Sequence, residues 1–132
     1  MNEMKRFLLD TNVFLRVLLN DLPSQADQVE KFIKEAKRDK VELLVPQIIV
    51  FEIVFALEKY YQFRKEDVID KIKTILAMDY LKIQDRETFN EAISLFGQGN
   101  LSLTDCFLIQ LAEIRGASIF TFDKDMKRAK KN

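Results

Sequence analysis

The stretch that decides the fold is V-E-L-L-V-P-Q-I-I-V-F-E-I-V-F-A-L, residues 41–57. Its first five residues form a short apolar run that predicts a buried strand, Val41 to Val45. Pro46 closes that strand and is well placed at the first turn of a helix. The residues that follow are apolar enough to predict the core-facing part of that helix. A strand followed directly by a helix favours an α/β fold.

Glu52 is the only charged residue between Pro46 and Leu57. The residues one helical turn away are Ile48, Ile49, Phe55 and Ala56, so no Lys or Arg of the same helix can neutralise the carboxylate. Burying a lone carboxylate costs several kcal/mol unless a cation meets it. We therefore expect a partner from outside the helix, and a metal ion is one candidate.

Three further acids interrupt or end apolar segments. Asp105 lies in S-L-T-D-C-F-L-I-Q-L-A, where the neighbours three, four and seven residues later are apolar and offer no cation. Asp10 ends F-L-L-D, and Asp123 ends I-F-T-F-D. Four carboxylates thus terminate or interrupt hydrophobic elements.

The periodicity predicts strands and helices in alternation. Strands are expected at Arg6 to Leu9, Val41 to Val45, Tyr80 to Ile83 and Ser118 to Phe122, and amphipathic or apolar helices lie between them. Such alternation predicts a three-layer α/β/α fold with a central parallel sheet of four to five strands. Reactive groups of these sheets lie beyond the carboxyl ends of the strands, where Asp10 and Asp123 stand.

Composition restricts the chemistry. The chain has 132 residues, of which 48% are hydrophobic, and we expect a single domain over residues 1–132. The absence of histidine excludes His general bases and the common zinc and non-haem iron sites. The 21 basic and 21 acidic residues balance, so no global field attracts polyanions.

A single cysteine, Cys106, cannot form an intramolecular disulfide, which favours a cytoplasmic location. No apolar stretch reaches the roughly 18 residues that span a bilayer, so no membrane association is expected. Asp10 and Arg16 also argue against a signal peptide at the amino end.

If Asp10, Glu52, Asp105 and Asp123 converge, they form a site for hard divalent cations, Mg²⁺ or Mn²⁺. Such a site hydrolyses phosphodiesters, although the residues alone do not choose RNA over DNA. Each acid also has a structural alternative: Asp10 can cap the next helix, and Asp123 can be a solvated turn residue. Glu52 and Asp105 are harder to place on a solvated face.

Polar residues beside these acids could orient them. Thr11, Asn12, Thr104 and Thr121 could hydrogen-bond the carboxylates or metal-bound water, or else serve as caps and core hydroxyls. The basic tail includes Lys124, Lys127 and Arg128, which could contact RNA phosphates or form only a solvated end.

At these residues the chain resembles a known family. The segments F-L-L-D-T-N-V-F, V-P-Q-I-I-V-F-E-I-V-F-A-L, L-T-D-C-F-L-I-Q-L-A and G-A-S-I-F-T-F-D-K-D are similar to the successive motifs of PIN-domain nucleases, particularly VapC-type toxins of toxin-antitoxin pairs. The resemblance implies a PIN-like nuclease domain and a metal-dependent endoribonuclease. It maps the acidic residues to Asp10, Glu52, Asp105 and Asp123, with Asn12 and Thr121 beside them.

The resemblance also implies a homodimer and a cognate antitoxin whose carboxyl-terminal segment covers the cleft and brings an Arg or Lys to the acids. The helices Ser24 to Arg38 and Gln47 to Tyr61, the latter with Tyr60 and Tyr61 at its end, are the expected groove for that segment. One departure is Phe51, since family members often have a small residue there; a larger neighbour of Glu52 would reshape the substrate cleft.

Other functions remain open at the level of sequence. A DNA or flap nuclease of the same fold usually needs additional segments for which 132 residues leave little room, and an RNA-processing nuclease would lack the antitoxin. A phosphoreceiver-like signalling domain typically has adjacent acids after the first strand, whereas D-T-N supplies one. A degenerate binding module would not need four intact acids.

Overall fold

The computed structural model describes residues 4–19 and 23–130 of the chain. In chain order the elements are β1 (Lys5–Leu8), α1 (Thr11–Leu19), α2 (Pro23–Lys37), β2 (Val41–Val45), α3 (Gln47–Lys59), α4 (Lys65–Leu76), β3 (Leu81–Ile83), α5 (Arg86–Gln98), α6 (Leu103–Arg115) and α7 (Lys124–Lys130). They fall into two compact units, which meet in the sequence at Gln84 and Asp85.

The first unit is built on a parallel sheet in the order β1, β2, β3. The central strand β2 alternates between buried and half-buried side chains, with Val41, Leu43 and Val45 buried. Pro46 directly precedes α3 and accepts a hydrogen bond from the Ile49 N–H at 3.0 Å, as expected for its place at the helix start. Parallel strands connected by helices confirm the α/β class.

The predicted number of strands is wrong for the described residues. The sheet has three strands rather than four to five, and residues 118–122 form no strand. Phe120 and Phe122 are 89% and 85% exposed, and their rings contact each other with centroids 5.5 Å apart. A strand requires a partner for its N–H and C=O groups. The described part of the second unit contains helices and no strand, so the apolar I-F-T-F sequence has no such partner within its unit.

The second unit is organised by α5 and α6. The rings of Phe89 on α5 and Phe107 on α6 lie with centroids 4.7 Å apart, and both side chains are buried. Ser102 caps α6 by accepting a hydrogen bond from the Asp105 N–H at 3.1 Å, and Gly116 ends the helix in the left-handed conformation with φ of 62°. Ser102 and Gly116 thus set the two ends of this helix.

The helices of the described residues are all too short or too polar to cross a membrane.

Candidate functional site

Asp10 lies where the chain leaves β1 and enters α1. The strand register is extended by one residue, since the Leu9 N–H donates to the Leu44 carbonyl at 3.0 Å. The Asp10 Oδ1 then accepts a hydrogen bond from the Val13 N–H at 3.2 Å and caps α1. A carboxylate has about four acceptor positions, so one capping bond leaves it able to bind a cation. Capping and metal binding are therefore compatible at this residue.

Glu52 is exposed on α3, which corrects the expectation that it is buried. Ile48 and Phe55, four residues before it and three after it, are exposed on the same side of the helix. The opposite side supplies the core, with Ile53 and Leu57 fully buried. Helix α3 carries its own apolar residues on all sides, so the sequence pattern could not show which side would face water. The desolvation argument for a cation at Glu52 consequently does not hold.

A hydrogen bond joins Thr11 to Glu52. The Thr11 hydroxyl donates to Glu52 Oε2 at 2.5 Å, across 41 positions of sequence. It connects the first residue of α1 to the middle of α3, and a bond of this kind to a carboxylate is short and strong. Thr11 is half-buried, so its own orientation is restricted. Thr11 and Glu52, which were proposed separately from sequence, thus come together, and the hydrogen bond holds the Glu52 Oε2 in place.

Beside this pair lies an open pocket of about 450 Å³, entirely within the first unit. Its polar wall consists of Thr11, Asn12 and Glu52. The remaining lining residues are apolar or aromatic: Leu15, Phe55, Ala56, Tyr60 and Tyr61. Phe55 was not identified from sequence as part of a site. Its position three residues after Glu52 was the available signal, since such residues share a helix face.

Asp105 occupies the first turn of α6 in the second unit and is half-buried. Its backbone N–H is capped by Ser102, and Thr104 beside it is exposed. The first turn of a helix carries unpaired N–H groups and the positive end of the helix dipole, which favours an anion there. The start of helix α6 therefore stabilises the Asp105 carboxylate locally. The sequence argument missed this because it considered only neighbouring Lys and Arg side chains.

Asp123 caps α7. Its Oδ1 accepts hydrogen bonds from the Asp125 N–H at 2.9 Å and the Met126 N–H at 3.0 Å. Thr121 stabilises the same turn, because its Oγ1 accepts a hydrogen bond from the Asp123 N–H at 3.0 Å. Both side chains have a structural role in the turn that leads into this helix.

The proposed RNA-contacting cations lie on α7. Lys124, Lys127 and Arg128 are exposed, and Arg128 also bonds Asp125, with Nη2 and Oδ1 2.6 Å apart. Because that ion pair is exposed to solvent, it holds the guanidinium only weakly and leaves it accessible to a phosphate.

The four acids are divided between the units: Asp10 and Glu52 belong to the first, and Asp105 and Asp123 to the second. Within either unit, the described residues include no group of three or more Asp, Glu or Cys side chains placed to hold a metal ion. Convergence of all four acids stays a prediction. The donors themselves are carboxylate, hydroxyl and amide oxygens, which suit Mg²⁺ and Mn²⁺ rather than softer metals.

Comparison with known proteins places these residues in a family. A VapC ribonuclease of Aquifex aeolicus (strain VF5) is 27% identical to this chain over 122 residues, which cover 92% of this chain and 90% of the relative. The family model described as the PIN domain matches residues 7–132, a range that contains all four acids and the pocket beside Glu52. Since the match extends over nearly the whole sequence, the chain belongs to the PIN domain family.

Proposed function

We propose that this protein is a metal-dependent endoribonuclease that hydrolyses RNA phosphodiesters in the cytoplasm as the toxin of a toxin-antitoxin pair. The observation that carries the proposal is the PIN match over residues 7–132, together with likeness to a relative named as a VapC ribonuclease. The absence of histidine agrees with it, because carboxylate and metal chemistry is what the composition leaves.

In this proposal Asp10, Glu52, Asp105 and Asp123 hold Mg²⁺ or Mn²⁺. When bound, such an ion activates water and neutralises the negative charge that develops on the phosphoryl group. The carboxylates hold the ion and orient the attacking water. The exposed cations of α7, Lys124, Lys127 and Arg128, are proposed to contact phosphates of the RNA.

Neighbouring polar groups orient the acids. Thr11 fixes the carboxylate of Glu52 through its hydrogen bond, and Asn12 lies beside them in the pocket wall. Thr104, exposed next to Asp105, is proposed to act in the same way, and Thr121 holds the turn that positions Asp123.

Digestion of purified RNA tests the proposed activity. We expect cleavage of total RNA in Mg²⁺ or Mn²⁺, none in EDTA, and little turnover in Ca²⁺, whose longer and more numerous oxygen contacts misplace the attacking water. Single-stranded and duplex DNA of matched length serve as controls. Full activity in EDTA, or equal rates in Ca²⁺ and Mg²⁺, would exclude the metal mechanism. Preferential cleavage of DNA would instead identify a deoxyribonuclease of the same fold.

The hydroxyl of Thr11 provides a more specific test. Thr11→Val keeps the shape of the side chain and removes the donor to Glu52, and we expect cleavage to fall by roughly 10- to 100-fold, as for groups that orient metal ligands. Thr11→Ser retains the donor and should restore most of the rate. The loss should appear in kcat with little change in KM, because the hydroxyl orients a carboxylate instead of holding RNA. Equal rates for the Val and Ser variants would show that the Thr11 hydroxyl does not orient Glu52 for the reaction.

A partner protein is proposed for the first unit, where an apolar cavity of about 270 Å³ opens near α1, α2 and β1. Phe7, Val17, Val29 and Phe32 are among its lining residues, and Phe32 remains partly exposed. An exposed apolar pocket marks a docking site for apolar side chains. A segment anchored here fits the antitoxin of the proposed pair. The cavity lies along α2, one of the two helices of the expected groove, whereas none of its lining residues belongs to α3.

We also propose a homodimer, for which exposed apolar side chains such as Ile48 on α3 and Ile114 on α6 are the support.

A further inference from the structure

We propose that the pocket beside Glu52 binds one unpaired RNA base by stacking on Phe55 and Tyr60. The inference rests on the proposed ribonuclease function, since it names which part of the substrate this same site holds. It extends that function by assigning to Phe55 and Tyr60 the task of holding one base beside Glu52.

The aromatic side chains of this pocket face water. Phe55 is 53% exposed, Tyr60 76% and Tyr61 41%. They lie in or directly after the carboxyl-terminal half of α3, whose other side supplies buried core. Core packing therefore does not account for three large rings on this face. Rings left in solvent beside a nuclease acid are the platform on which single-stranded nucleic acids stack.

The geometry of the rings suits a planar ligand. Phe55 and Tyr60 have centroids 6.0 Å apart and planes inclined by 81°. Because the rings are nearly perpendicular, a base can lie flat on one ring while its edge meets the other.

The pocket also places the base next to Glu52, one of the proposed metal-binding acids. Phe55 follows Glu52 by three residues, about 4.5 Å along the helix axis at the usual rise per residue. Thr11 and Asn12 line the same pocket, so the base would lie beside the carboxylate that Thr11 orients. A phosphate held at Glu52 through a cation and a base held on Phe55 can then belong to the same or adjacent nucleotides.

Charge and hydrogen bonding favour a base over a phosphate in this pocket. Glu52 repels a bare phosphate, whereas a neutral base meets no such repulsion. Asn12 offers an amide that can both donate and accept at a base edge. Bases of an RNA duplex stay stacked in the helix, so recognition of this kind selects single strands, loops and bulges.

The test compares variants that remove a ring with variants that keep it. Phe55→Leu and Tyr60→Leu should weaken binding of a short unstructured oligoribonucleotide by about 5- to 100-fold, the range for losing one stacked base. Phe55→Tyr and Tyr60→Phe retain the ring and should bind like the parent. Met4→Ala removes an exposed apolar residue of the first unit outside the pocket and should have no effect.

Binding is measured in Ca²⁺, where little cleavage is expected, by anisotropy of labelled RNA. A second oligonucleotide with an abasic nucleotide at the stacked position should bind the parent as weakly as the intact RNA binds Phe55→Leu. The chain has three Tyr and no Trp, so in a Tyr80→Phe background intrinsic fluorescence reports Tyr60 and Tyr61 and should be quenched by the intact RNA.

The outcomes separate the two proposals. Equal affinities for Phe55→Leu, Phe55→Tyr and the parent, or undiminished binding of the abasic RNA, would overturn base stacking while leaving the ribonuclease proposal intact. Ring-dependent binding by a protein that cleaves no RNA in Mg²⁺ or Mn²⁺ would support stacking and refute the activity. Leu variants that bind RNA normally but escape inhibition by the partner protein would assign the pocket to a protein segment and overturn the inference.

Discussion

Asp10→Asn, Glu52→Gln and Asp105→Asn are each expected to reduce RNA cleavage by roughly a hundredfold or more, because each removes a charge proposed to hold the metal, a contribution of several kcal/mol. The measurement is the initial rate of cleavage of a labelled RNA in Mg²⁺. Activity within tenfold of the parent for any one of them would remove that residue from the proposed site.

The structure predicts that the Asp10 and Glu52 variants stay folded, so a loss of their activity reports on the reaction and not on unfolding. Asn at position 10 can still cap α1, since Asn is as good a cap as Asp. Gln at position 52 can still accept the hydrogen bond from Thr11, and the side chain is exposed. Melting temperatures should therefore stay close to the parent. Glu58→Gln, on the exposed side of the same helix, is the matched control and should keep full activity.

Asp123→Asn is expected to have a smaller effect. Its Oδ1 accepts two backbone N–H groups at the start of α7, and the amide oxygen of Asn can accept the same bonds. An equally large loss of cleavage in this variant would show that its charge, rather than its capping role, matters to the reaction.

Co-expression with the proposed antitoxin should abolish most of the proposed RNase activity. The chain is charge-neutral overall, and an acidic site that lacks metal attracts a cation. An Arg of the partner would suit it, because a planar guanidinium meets a carboxylate through two parallel bonds. The purified complex should cleave RNA at least tenfold more slowly and bind Mn²⁺ more weakly than the free protein. Unchanged Mn²⁺ affinity and activity in the complex would refute inhibition by occupation of the site.

The apolar cavity supplies a matched pair of variants for this second expectation. Phe32→Asp places a charge at the partly exposed edge of the cavity and should release the partner and restore cleavage. Lys31→Asp changes the neighbouring exposed residue of α2, which is outside the cavity lining. The partner should still inhibit cleavage by this control variant. The Phe32 ring packs against the Phe7 ring, with centroids 4.9 Å apart, and Phe32→Asp removes this contact. A melting curve of the free variant is therefore required to show that it is folded.

Local sequence determined the elements of this protein where short-range physics dominates. The run Val41 to Val45 became the central strand, and Pro46 began α3, because apolar periodicity and a fixed proline φ act within a few residues. Ser102 and Gly116 delimited α6 for the same reason, since a cap forms with N–H and C=O groups of its own turn. The ordered motifs also identified the family, which the match over residues 7–132 confirmed.

Tertiary structure alone decided the environment of the site residues. Glu52 was expected to be a buried charge, yet it faces water, because a helix that is apolar on all sides does not reveal which side packs in the core. The segment I-F-T-F has the apolar composition of a strand and is not one, since strand formation depends on a distant partner. The bond between Thr11 and Glu52 spans 41 positions, a separation at which periodicity carries no information, and only the packing of α1 against α3 brings the two side chains together.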